Sequence, residues 1–148
     1  MAAYGLPRTT LDLDIVVELA AQPDLVEFME ASGYETLHRS EGYSNHAHAD
    51  DVMGGVDFVY VRGETAAKLF AAVRYVPGPG GRPIPVPSPE HLAAMKVLAM
   101  RNDPARTFEE LGDIRHLIAV VGADRQEIHR QFVRHDLEAR FRELEATL

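Results

Sequence analysis

The chain has 148 residues, a formal net charge of −8 and no cysteine, with 46% hydrophobic and 26% charged residues. That length and balance belong to one globular domain with a core of its own. Disulfides, thiolate metal sites and a cysteine nucleophile are excluded, no stretch approaches the about 20 apolar residues of a membrane span, and a pI near 5.3 argues against a broad basic surface for long nucleic acid.

The predicted elements begin after a turn-rich entry, Tyr4-Gly5-Leu6-Pro7-Arg8-Thr9-Thr10. Residues 11–19 alternate at their start and then turn β-branched, which reads as a strand. A helix is expected over 23–32, with Pro23 first, Leu25, Phe28 and Met29 at helical spacing, and Gly33 as the stop. Two short strands, 34–40 and 43–50, flank Glu41-Gly42. Residues 56–61 form the second strong strand, and 64–72 the next helix. The run 77–81 is a loop on composition. It is no phosphate-cradling P-loop, because no Gly-Lys-Ser/Thr follows. Ile84-Pro85-Val86 is at most a short edge strand.

From Ser88 the pattern turns helical. Ser88-Pro89-Glu90 supplies an N-cap, a first-position proline and a first-turn acid. Leu92, Met95 and Ala99 carry that helix to about residue 101, where Asn102-Asp103-Pro104 breaks it. Thr107 with Glu110 reads as a capping box for a helix whose face is Phe108, Leu111, Ile114, Leu117, Ile118 and Val121. Asp124 with Glu127 reads as the next cap, and Ile128, Phe132, Val133, Leu137, Phe141, Leu144 and Leu148 as one last helix. The expected organisation is an α/β part over 1–87 and a helical part over 88–148, packed as one unit. The first part holds 6 basic and 12 acidic side chains, the second 9 and 11. The N-terminus has no basic flank and apolar core of a signal peptide, so the cytoplasm is the expected location.

Asp12-Leu13-Asp14 is the sharpest chemical feature. Residues i and i+2 of a strand share a face, with Cα atoms roughly 6.6 Å apart at ~3.3 Å per residue. Two such carboxylates can converge on a hard cation such as Mg²⁺. Asp57 lies inside the second strong strand and is the natural third ligand if the two strands are neighbours. The plainer reading is a solvated acidic face. His46-Ala47-His48 with Asp50 and Asp51 has same-face spacing for Zn²⁺ or Ni²⁺, or is polar decoration of a hairpin. The arginines of the last helix interleave with acids, as on a solvated face or a partner-facing rim.

Gly5-Leu6-Pro7-Arg8-Thr9-Thr10-Leu11-Asp12-Leu13-Asp14-Ile15-Val16-Val17 resembles the core of the polymerase-β-like nucleotidyltransferases. It is closest to a bacterial branch with a Gly-x-x-Arg-x-Thr-x-Asp-hydrophobic-Asp signature, which includes toxins of toxin–antitoxin and abortive-infection systems. Val56-Asp57-Phe58 is similar to the family's third-acid strand, Ser88 to Lys96 to its Ser-x-Glu-x-Leu-x-x-x-Lys helix, and Glu110-Leu111-Gly112-Asp113-Ile114 to a following helix. The resemblance implies an α+β nucleotidyltransferase fold, a small mixed sheet with packed helices and a helical C-terminal part. It implies Mg²⁺ held by Asp12, Asp14 and Asp57, an NTP donor, a hydroxyl acceptor, and substrate contacts from Arg8, Thr10 and Lys96. From the residues alone, Arg8 is equally a structural ion pair, Thr10 a turn cap, and Lys96 a lysine that buries its stem and extends its amine.

The family opens this strand with a helix whose Gly-Gly or Gly-Ser amides hold the triphosphate, a helix N-terminus acting as anion site. Only Met1-Ala2-Ala3-Tyr4 stand ahead of Gly5. Two functions are therefore expected in competition. One is transfer of NMP to a protein, RNA or small molecule. The other is a non-catalytic binding or regulatory module of the same fold, paired with an antitoxin-like partner or self-associated.

Overall fold

A computed structural model describes residues 1–6 and 12–148. They divide into two compact units, residues 12–71, and residues 1–6 together with 72–148. The architecture is mixed α/β, with a small mixed sheet and, among the described residues, six α-helices.

The first unit contains β1 (Asp12–Glu18), α1 (Gln22–Ala31), β2 (Tyr34–Arg39), β3 (Tyr43–His48), β4 (Gly55–Val61) and α2 (Gly63–Ala71). Its sheet order is β1-β4-β3-β2. β2, β3 and β4 run antiparallel, as short connections allow. β1 and β4 are parallel, because α1 and the β2–β3 hairpin supply the long crossover that parallel pairing requires. The Ser40 hydroxyl tightens the hairpin by accepting the Gly42 and Tyr43 N–H groups at 3.3 and 3.2 Å. One face of the sheet is apolar. Phe58 and Tyr60 of β4 are buried there with Met29 of α1, and Ile15, Val17, Leu25, Tyr34 and Val56 pack around them.

The second unit contains β5 (Arg74–Pro77), β6 (Pro83–Val86), α3 (Pro89–Asn102), α4 (Thr107–Ala119), α5 (Arg125–Arg134) and α6 (Glu138–Glu145). Its core joins Val97, Met100, Ile114, Leu117, Ile128, Phe132, Phe141 and Leu144, all buried. The first residues belong here. The Tyr4 hydroxyl donates to the Pro87 carbonyl, and His116 Nε2 donates to the Tyr4 carbonyl at 2.7 Å. Ser88 caps α3 by accepting the His91 N–H, as its sequence position suggested.

Arg74–Pro77, just ahead of the expected loop, is a strand paired to β6. Three local expectations are corrected. Thr107 is not an N-cap: its hydroxyl donates to the Pro104 carbonyl, and Glu110 is bound to cations instead. Phe108 is 91% exposed, outside the α4 face that buries Ile114 and Leu117. The last helix is two. Phe132 and Phe141 are nine positions apart, so at 100° per residue a continuous helix would put them on opposite sides. Both are buried in one core with ring centroids 5.3 Å apart. The chain achieves this by breaking at Asp136, whose φ of 60° ends α5 and re-aims α6.

Asp124 caps α5 by accepting the Gln126 and Glu127 N–H groups at 2.8 and 3.1 Å. Asp124→Ala is expected to cost about 1 kcal/mol, read as a lower urea midpoint with an unchanged slope. Among the described residues, no helix is long and apolar enough to cross a membrane.

Candidate functional site

The parallel β1–β4 pair positions the acids. Asp14 stands opposite Asp57, and Asp12 opposite Gly55. Register partners share a face, and so do residues i and i+2. Asp12, Asp14 and Asp57 therefore lie together on the face opposite the apolar one. Asp12 and Asp14 are exposed and Asp57 is half-buried, so water reaches this face. Gly55 leaves room for them: a Cβ there would stand 2.5 Å from Asp12 Oδ1. A side chain at position 55 would displace that carboxylate.

Hard carboxylate oxygens on one hydrated face are the donor chemistry Mg²⁺ takes, with water completing its shell. The acids fit the ion in kind and in face. They are not drawn into a ligand cluster: among the described residues, no three His, Cys, Asp or Glu side chains form a group able to hold a metal ion.

Lys96 lies on α3, in the other unit. Its Nζ is 2.7 Å from Glu110 Oε2 and 2.5 Å from Asp113 Oδ2. Both acids are buried, and Arg106 adds a second cation 2.6 Å from Glu110 Oε1. The lysine does bury its stem as its spacing suggested, but its amine ends on carboxylates of α4. Arg8 and Thr10 lie outside the described residues.

The histidine pair is not drawn into a metal group either. His46 is buried on the apolar face. Its Nε2 is 2.9 Å from Ser44 Oγ and its Nδ1 is 3.2 Å from Thr36 Oγ1, so both ring nitrogens are engaged. His48 Nδ1 accepts the Asp50 N–H at 3.0 Å. On the last two helices Arg125 pairs with Glu145, Arg130 with Glu127, Arg140 with Glu143 and Arg142 with Glu138. That is a solvated, ion-paired surface.

No family model matches the chain, and no curated protein matches it. One further residue belongs to the site. Asn45 of β3 is the register partner of Asp57 and adds an amide to the carboxylate face. Sequence reading missed it because its face follows only from the β3–β4 register.

Proposed function

We propose that this chain has the nucleotidyltransferase fold and is a Mg²⁺-dependent nucleotidyltransferase, moving NMP from an NTP to a hydroxyl on a protein, RNA or small molecule. The observation that carries the reading is the register. It sets Asp14 beside Asp57 and places Asp12 on the same face. Asp12, Asp14 and Asp57 share a face without forming a ligand cluster, so they would have to converge to hold Mg²⁺, which would there neutralise charge on the triphosphate. In the transfer, the acceptor oxygen bonds to the α-phosphorus, the bond to the bridging oxygen breaks, and pyrophosphate leaves. Asp57 would take the hydroxyl proton. Lys96, held by Glu110 and Asp113, is assigned to the α3–α4 packing.

The test is a titration of Mg²⁺ and Mg-NTP, with labelled-nucleotide transfer measured alongside. Asp12→Asn and Asp14→Asn are expected to weaken metal binding beyond the about 10–100-fold that loss of an outer-shell partner costs. Both are exposed, so the melting temperature should hold. Variants that bind and transfer like the wild type overturn the proposal. The pairing of Lys96 favours a second reading, a non-catalytic module of the same fold. Mg-NTP binding without transfer would select it.

A further inference from the structure

A four-stranded sheet is about 19 Å wide at ~4.8 Å per strand, and a helix with its side chains is about 10 Å across. One helix therefore covers about half of one sheet face. α1 packs beside β2, at one edge of the apolar face. The other half, toward the opposite edge strand β1, is an open groove of about 490 Å³. Leu13, Ile15, Val17 and Val56 form its floor, and Leu25 and Phe28 of α1 form a wall. Leu13 is 58% and Phe28 64% exposed, at positions whose helical or strand spacing belongs to a core. Two large apolar side chains facing one concavity mark a surface that another element covers.

The charge beside the groove says what kind of element. The α1 wall carries Asp24 and Glu27 next to Leu25 and Phe28, and α1 has no Lys or Arg. Residues 9–71 hold 12 acidic and 3 basic side chains, a net of −9, whereas the rest of the chain nets +1. Two copies meeting through this face would oppose −9 with −9, which like-charge repulsion disfavours. A segment with apolar residues at i, i+3, i+4 and i+7 and basic flanks matches the width, the apolar floor and the acidic surroundings together.

We infer that the groove between β1 and α1 is the docking site for a basic amphipathic helix of a partner protein. The site lies on the face opposite Asp12, Asp14 and Asp57, so it stands or falls apart from the transferase reading.

The test uses the full chain and a synthetic peptide of about 18 residues, long enough to hold a helix when bound. Its leucines stand at i, i+3, i+4 and i+7 and its remaining positions are mostly lysine. Calorimetric titration is expected to show saturable binding, with amide chemical-shift changes centred on Leu13, Ile15, Val17 and Phe28. Leu13→Gln and Phe28→Gln, both at exposed positions, should each weaken binding about tenfold or more, with the melting temperature unchanged. A peptide of the same composition in shuffled order, and one with glutamate for lysine, should bind at least about tenfold more weakly. Four results overturn the inference: no binding, equal binding of the shuffled or acidic peptide, binding indifferent to both substitutions, or a dimer of this chain that the same substitutions dissolve.

Discussion

Lys96→Ala is expected to lower the unfolding free energy by about 3–5 kcal/mol. Glu110 is 1% and Asp113 3% exposed, and they lie one helical turn apart on α4. Two buried carboxylates that close repel each other and have lost most of their hydration. Lys96 bridges them, with its Nζ 2.7 and 2.5 Å from their oxygens. Arg106 reaches only Glu110 and is 52% exposed in its side chain, so it replaces little of what the lysine supplies. Removing Lys96 takes away the cation that the two buried acids share inside the α3–α4 packing. Urea denaturation at neutral pH measures the loss. A triple variant that also carries Glu110→Gln and Asp113→Asn should recover a large part of it, because the buried charges are gone. A loss under about 1 kcal/mol for Lys96→Ala would show that solvent reaches the pair and that the bridge is weak. A Lys96 variant that kept its stability and lost nucleotide affinity would return the residue to the substrate side.

The strong strands were legible because their composition leaves few alternatives. Six successive residues of 56–61 are β-branched or aromatic apart from Asp57, and 11–19 pairs two acids with aliphatics at period two. The cap at Ser88 and the cap at Asp124 were legible for a similar reason, since short polar side chains before an apolar run compete for the free N–H groups. The register was not. That Asp14 faces Asp57 depends on a parallel crossover through α1 and a hairpin, which local pattern cannot set. Periodicity also overstated burial. Phe28 and Phe108 sit at helical spacing with their neighbours yet are 64% and 91% exposed, because spacing gives a face and tertiary packing decides how wide the covered stripe is. The break at Asp136 escaped because the apolar residues on both sides fit one long helix, and only the shared core of Phe132 and Phe141 forbids it. For the site, residue types and faces were readable, while the partners of Lys96 were not, since they lie 14 and 17 positions further on.

Ser44→Ala is expected to be the second most damaging single change, through a chain of polar groups under α1. Thr36 Oγ1 donates to Glu30 Oε1 at 2.8 Å, which spends its only proton. The Thr36 oxygen therefore accepts from His46 Nδ1–H, and the neutral ring offers Nε2 to the Ser44 hydroxyl. Ser44 Oγ in turn accepts the Tyr60 hydroxyl at 2.6 Å. Every member is satisfied, so a buried Ser-His-Tyr run is tolerated in an apolar layer. Alanine at 44 strips His46 Nε2 and the Tyr60 hydroxyl of their partner, at about 1–3 kcal/mol for each buried group left bare. The same chain makes stability depend on pH. Burial holds the His46 pKa below its usual value, with Glu30 and Asp57 opposing in part. Between that lowered value and about 6.5, the unfolded chain binds more protons than the folded one. Stability is thus fully present above about pH 6.5 and falls as the pH drops below it, by up to about 1.4 kcal/mol per pH unit from this group. His135 shifts in the same direction, from burial and from Arg101 and Arg134, so it titrates with the same sign. Chemical denaturation from pH 8 to 5 separates the two: His46→Gln and His135→Gln should each flatten the acid limb, and the double variant most. An acid limb unchanged in His46→Gln would mean that protonated His46 is accommodated, with Ser44 rotated to accept from Nε2–H and to donate to Tyr60.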